Sequence, residues 1–398
     1  MRLLALIALA FGAGLAALSF EGGEAPAPAR VQRPVLTGTA DDVAPLRRAV
    51  EAGRRDLRPA LAAAYLQRVR DTGDPSFYAR AEDALRGARG PEALATAGEL
   101  ALARHDFRGA LRLGRRAGAA GTLIRVDALV ELGEYRRAER ELLDAKPNLG
   151  AYARVSYLRE LHGDLDGAAE AMRFAAAAGG PAAENVAYVL AQLGELERRR
   201  GRVRAARRAF GRALALVPGF AAAEAGLARL EAAGDAAGLD AAIARLRRVT
   251  ERLPLPEYLI ALGEAELVAG RETRTLELVA AQQRLQRSAG VDVDVELAVF
   301  EADHGSPARA VELARRAYAD APSARSADAL GWALTRAGKP RAGLRWARRA
   351  LRLGSLDPLW RAHAGLAALE AGREREGRRQ LRIAFRHGLS GYPWQARR

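Results

Sequence analysis

The chain has 398 residues, 49% of them apolar and 28% charged, a balance that suits a folded protein and excludes an intrinsically disordered one. It contains no cysteine, which removes disulfide scaffolds, thiolate metal sites, cysteine nucleophiles and lipid attachment through cysteine. The net charge of +15 is carried almost wholly by arginine, Lys146 and Lys339 being the only lysines, and so Arg-rich a usage reads as coding bias before it reads as a signature of nucleic acid.

At the amino terminus, Met1 and Arg2 precede an apolar run over residues 3–18, the pattern of a secretion signal, with Ala17 and Ser19 as small residues ahead of a cleavage site. The run is close to the shortest that crosses a bilayer, so cleavage and retention as an anchor both stay open. The positive charge ahead of it favours export of the rest of the chain. Residues 1–20 are read as a signal peptide or signal anchor, and the protein as extracytoplasmic, secreted or held at the membrane by this segment. Residues 21–45 carry Pro26, Pro28, Pro34 and Pro45 among small and polar residues. Proline at that density keeps a backbone extended, and the stretch reads as a disordered linker.

From residue 46 to 391, helix-length segments of Ala, Leu, Arg and Glu alternate with short Gly-containing breaks, and strand-like alternation is missing. The body is predicted to be all-α. A small residue recurs at Ala110, Ala138, Ala168, Ala206, Gly238, Thr275, Ala310, Gly343 and Gly377, on average about 33 residues apart. Five residues before it stands a glycine at Gly133, Gly163, Gly201, Gly270, Gly305, Gly338 and Gly372, placed to close a first helix in the left-handed conformation. Twelve residues before it stands another, at Gly98, Gly194, Gly226, Gly263, Gly331 and Gly365. These fall inside the first helix, and the expectation is that glycine there meets Ala or Gly of the second helix at close approach.

With these residues in phase, the chain resembles the tetratricopeptide repeat (TPR) family. The fullest match spans residues 187–218, with Leu190, Leu193, Gly194, Ala206, Phe210, Ala213 and Pro218 at the family's spaced positions. The sequence departs from the pattern where Glu197 stands in place of a common tyrosine, and where intervals of 28 and 38 residues precede Ala138 and Ala206. The resemblance implies an α-solenoid of about nine to ten helical hairpins in a right-handed superhelix, whose first helices form a concave wall that binds a protein or peptide. Positional transfer within the family implies Tyr188, Glu195, Arg198, Arg199, Glu264, Trp332 and Arg336 on that wall.

Catalytic signatures are missing: no Gly-rich phosphate loop, nucleophile elbow or paired-His helix occurs. His105 beside Asp106, His162 near Asp164, and Asp303 with His304 fall in different hairpins at first-helix ends, where packing and the helix dipole account for them. The acidic stretch Asp292, Asp294 and Glu296 reads as the opening turn of a helix rather than a cation site. No catalytic residue, metal ligand or cofactor is expected.

The carboxy-terminal 68 residues hold 16 basic and 4 acidic side chains, a net +12, and all four tryptophans, Trp332, Trp346, Trp360 and Trp394. Residues 392–398 read as a basic tail. Two functions therefore compete: a non-catalytic exported scaffold holding an unknown protein or peptide on its concave wall, and an envelope protein that binds a membrane or anionic polymer through Arg378, Arg379, Arg382 and Arg386. Export weighs against nucleic acid as the partner.

Overall fold

The computed structural model describes residues 43–180 and 182–398. The signal segment and all but the last residues of the proline-rich stretch lie outside the described residues. Within them the chain forms 22 α-helices and no strand. A lead helix, α1 (Val43–Glu51), accommodates Pro45 in its first turn, where a missing N–H costs nothing.

Ten antiparallel hairpins follow: α2 (Arg58–Thr72) with α3 (Ser76–Leu85), α4 (Pro91–Ala103) with α5 (Phe107–Arg116), α6 (Thr122–Glu131) with α7 (Tyr135–Leu143), α8 (Leu149–Leu161) with α9 (Leu165–Ala178), α10 (Ala183–Arg199) with α11 (Val203–Leu216), α12 (Ala221–Ala232) with α13 (Ala236–Arg252), α14 (Pro256–Val268) with α15 (Thr275–Ser288), α16 (Asp294–His304) with α17 (Pro307–Asp320), α18 (Ala324–Arg336) with α19 (Pro340–Ala350), and α20 (Pro358–Glu370) with α21 (Glu374–Arg386). A one-turn helix, α22 (Pro393–Ala396), ends the chain. The uneven repeat intervals follow from helix length: α6 and α7 span only 10 and 9 residues, whereas α10 spans 17.

Local chemistry sets these boundaries. Asp106, Asp164 and Asp235 cap second helices by accepting from the backbone N–H groups of Gly109, Gly167 and Gly238. The recurring Ala110, Ala138, Ala168, Ala206 and Ala310 are fully buried where second helices meet first. Gly133, Gly163, Gly201, Gly270, Gly338 and Gly372 adopt φ near +70° as the turn requires. Gly305 does not, having φ −132°, and at the matching position of α4 it is His105, a non-glycine residue, that takes φ +63°.

The mid-helix glycines do mark close approach, but mostly to large side chains. The buried ring of Phe210 fits between α10 and α12 only because Gly194 and Gly226 present no Cβ to it. Gly263 and Gly365 likewise admit Leu276 and Leu381. Of these mid-helix glycines, those of the last two hairpins meet glycine, a Cβ on Gly343 coming 2.7 Å from the Gly331 carbonyl oxygen and one on Gly377 2.9 Å from that of Gly365.

A solenoid held only by neighbouring hairpins has no contacts at long sequence range. This one winds so tightly that its second coil rests on its first. The Tyr135 hydroxyl accepts from the Ala324 N–H at 2.7 Å, 189 residues away. The Arg104 carbonyl accepts from Asp292 N–H, and His105 Nδ1 meets the Asp292 carbonyl, 187 residues away. Arg198 Nη1 donates to the Gly388 carbonyl at 2.8 Å, and His387 Nδ1 lies 2.9 Å from the Arg199 carbonyl. One superhelical turn thus takes about five and a half hairpins of the usual length. Hairpin turns of the first coil meet inter-hairpin loops of the second: a Cβ on Gly133 would overlap the Pro322 carbonyl oxygen, and one on Gly163 would come 2.6 Å from that of Gly354.

The seam separates two kinds of glycine that share one backbone conformation. Gly133→Ala and Gly372→Ala face the same left-handed strain, φ +73° at each, but only Gly133 meets a second coil, Gly372 having nothing within 4 Å. Gly133→Ala is expected to lower the melting temperature distinctly more than Gly372→Ala in calorimetry. Equal losses would show that the coils do not touch there.

Candidate interaction wall

First helices carry a stripe of residues spaced seven and four apart, which places them on one helical face: Tyr188, Glu195 and Arg199 on α10; Glu257, Glu264 and Val268 on α14; Arg325, Trp332 and Arg336 on α18. Asp127 and Glu131 on α6 and Glu296 and Asp303 on α16 continue it, and Tyr157 and Glu160, three apart, share one face of α8. Charges on widely separated helices feel one another across the enclosed space: Arg325 interacts with Glu296, Glu131 and Glu257, and Tyr188 with Glu257, Glu160 and Asp127. The stripes therefore face a common interior.

Many of these charges are already paired. Arg154 binds Asp127, Arg199 binds Glu160, and Arg325 binds Glu296 at 2.6 Å. Glu195 accepts from Arg198 at 2.9 Å and Arg229 at 2.8 Å. Burial alone would raise its pKa, but the two guanidiniums hold the carboxyl down at about 2. Glu264 meets His304 at 3.0 Å, and Asp328 meets His363 at 2.8 Å in a pair with about 4% of each side chain exposed. Glu99, Glu131 and Glu257 have no ion-pair partner among the described residues; Glu131 is half-buried and the other two are exposed on the wall, where the surrounding protein pushes all three upward against the pull of arginines such as Arg325, and Glu257 keeps a hydrogen bond to Tyr258. Tyr157 and Tyr188 stand among them with 38% and 52% of their surface open. The inner wall thus offers two open aromatic rings and three uncompensated carboxylates.

The residues expected at a binding surface divide accordingly. Tyr188 is exposed on the wall; Glu195, Arg198 and Arg199 lie on it but are engaged in ion pairs. Arg198, Arg199 and Arg200 are thus interior or pair-forming residues rather than a solvated face, Arg200 binding Asp166 and Glu197. Glu264 is buried against His304. Trp332 is 1% exposed, stacked on His363 at 4.4 Å, and presents no face to a partner; Arg336 is exposed beside it. Trp346, Trp360 and Trp394 are also at least half covered. Arg378, Arg379, Arg382 and Arg386 are exposed together on α21, Arg378 meeting the exposed Glu374 at 3.1 Å. Asp292, Asp294, Glu296 and Asp303 go to separate partners, Asp294 to Arg287 and Arg316 and Asp303 to Trp332 and Arg398. Among the described residues no three His, Asp or Glu side chains converge as a metal site.

Sequence reasoning missed Glu131, Tyr157, Arg229, Glu257 and Arg325. The spacing of seven and four, read outward from Glu195 and Glu264, would have found Glu257, and from Trp332 would have found Arg325. It also missed that residues 392–398 are packed rather than free: Gln395 is buried, and Arg398 forms an ion pair with Asp303 at 3.0 Å.

Burial favours the neutral form of Glu131 despite Arg325 nearby, so its folded pKa lies above the ordinary 4.5. The stability this carboxyl contributes is complete below pH 4.5 and is lost as pH rises through the raised value. Glu131→Gln, which fixes a neutral side chain, is expected to raise the melting temperature at pH 8 and to lose that advantage near pH 4. A constant difference across the range would show that Glu131 is not held in a water-poor interior.

No family model matches the chain, and no curated protein matches it. Among solved structures it is similar to the human IFIT1 dimer with m7Gppp-AAAA, at 14% identity and TM-score 0.47, covering 87% of this chain and 86% of that one. The human IFIT1 dimer with PPP-AAAA gives the same identity and coverage with TM-score 0.45. The APC/C hetero-tetramer Cut9-Hcn1 gives 14% identity and TM-score 0.34, over 89% of this chain and 92% of that one. Likenesses this distant do not bear on what the chain binds.

Proposed function

We propose that this chain is a non-catalytic TPR-type scaffold that holds a protein or peptide on its inner wall, exported and either released or kept at the membrane by residues 1–20. The observation that carries the reading is the pairing of open rings with uncompensated carboxylates on that wall: Tyr157, Tyr188, Glu131 and Glu257. An unpaired carboxylate in a partly dry interior is costly unless a partner supplies positive charge or donors. The cleft between Glu131, Tyr135, Tyr157 and Arg325 leaves no water-sized space for a small substrate. Among the described residues no helix is long and apolar enough to cross a membrane.

A photo-crosslinking residue placed at Tyr188 and, as a control, at the outward-exposed Leu285 tests the reading in envelope extracts. A defined protein should be captured at position 188 and not at 285, and Glu131→Arg with Glu257→Arg should cut the capture at least about ten-fold, as reversal of complementary charge does. Capture at both positions alike, or at neither, would reject it.

A second reading rests on a separate observation, the exposure of Arg378, Arg379, Arg382 and Arg386 along one helix. Here the ligand is an anionic lipid surface or polymer, and affinity for anionic vesicles should fall steeply with salt. Replacing the four by glutamine should abolish binding; salt-independent binding, or binding that survives the substitutions, would dismiss this alternative.

A further inference from the structure

Beyond α21 the chain turns inward and lies along the inner wall. Gly388 takes φ +95°, and a Cβ there would strike the Arg198 guanidinium; one on Gly391 would come 2.9 Å from the Arg229 carbonyl oxygen. These two glycines let the backbone pass against the ends of α10 and α12. Tyr392 then lies over two guanidiniums, 5.4 Å from Arg198 and 5.5 Å from Arg229. Trp394 sits on His304 at 5.3 Å and against the core of α12 to α14. Gln395 donates to Asp303 Oδ2 at 3.0 Å, Arg398 pairs with Asp303 Oδ1 at 3.0 Å, and Arg397 donates to the Val268 carbonyl at 2.8 Å. Each anchor is a carboxy-terminal end of a first helix, on the stripe that faces the interior.

The segment therefore occupies the wall as a short, basic, aromatic ligand would, and it fits imperfectly. Trp394 Nε1 and Gln395 Oε1 on the segment and Arg198 Nη2 on the wall are buried without hydrogen-bond partners. Orphaned polar atoms of this kind are costly, and a ligand that satisfied Arg198 Nη2 and left none of its own polar atoms unpaired would bind better. Between Trp332, Arg336, Trp394 and Arg398 a cavity of about 460 Å³ is left unfilled. Toward the other ends of the same first helices lie Glu257 and, across the interior, Glu131, neither of them in an ion pair among the described residues.

We propose that residues 389–398 are the resident occupant of the binding groove, and that the partner is an extended polypeptide segment of the same chemistry, two aromatic residues followed by polar and basic ones, which displaces them. The inference rests on the scaffold reading and specifies its partner and its control. Tethering keeps the resident segment at high local concentration, so a free peptide of equal intrinsic affinity competes poorly until the tether's grip is loosened.

The test uses the full chain and a fluorescent, carboxy-amidated decapeptide copying residues 389–398, with a second peptide in which both arginines are replaced by glutamate. Loosening the resident segment by Tyr392→Ala with Trp394→Ala, or more gently by Arg398→Glu, should tighten decapeptide binding at least about ten-fold over the unmodified chain, as removal of an intramolecular competitor does. Adding Asp303→Asn should reverse the gain, and the glutamate peptide should not bind. Helical circular dichroism shows which variants remain folded. No gain in either loosened variant, or equal binding of the glutamate peptide, would overturn the inference. Because capture at position 188 is scored independently, a scaffold that takes a partner without exchanging its own segment is recognised as such: the wall would stand and the exchange would fall.

Discussion

The contact between successive superhelical coils governs everything else in this molecule. Hairpins stacked side by side would make an open spiral, but here the turns closing α4, α6, α8 and α10 meet chain from the next coil, through Arg104, His105, Tyr135, Gly163, Arg198 and Arg199. A backbone oxygen at van der Waals distance leaves no room for a β-carbon, and glycine at the seam answers a tertiary need as well as a local one. At Gly270, Gly338 and Gly372, where no further coil follows, and at Gly201, whose turn reaches the next coil only through Arg198 and Arg199, the same residue answers the turn alone.

Closing the gap between coils turns an inner face into an interior. Charges on α6, α8, α14, α16 and α18 that a spread spiral would leave bathed in water are brought within reach of one another. Most find partners, and the strength of those pairings shows in Glu195, kept ionised between two guanidiniums. Glu99, Glu131 and Glu257 form no ion pair among the described residues, and neither does Arg336, whose guanidinium instead donates to the Ala302 carbonyl. Net charge is thus a poor guide to the charge of the inner wall; the arginines are largely spent outside or in pairs.

The repeat is legible in the sequence because it is local: phase, turn glycines and small residues all derive from two helices in contact. The features that stay hidden lie at longer range. Nothing near His105 announces that it takes a glycine's conformation, because the interaction that accompanies it, with Asp292, is 187 residues away. Gly305 shares its neighbours' register but not their backbone, the cap there being made with φ −132°. Mid-helix glycine suggests a meeting of small residues, and in α10 and α12 it serves instead to admit one phenylalanine ring shared by two hairpins. The carboxy-terminal arginines and tryptophans form a single compositional feature, yet Trp332 and Arg398 turn inward while Arg378 to Arg386 face out. Composition reports the density of such residues along the chain, not the side of a wall on which each falls.

Arrays of helical hairpins commonly stretch and recoil like springs, small rotations between neighbours adding up to large changes in pitch. Here lengthening the coil would first strip Tyr135 from Ala324 and Arg104 from Asp292, exposing polar backbone groups for each increment of extension. Extension is therefore opposed at the seam as well as between neighbouring hairpins.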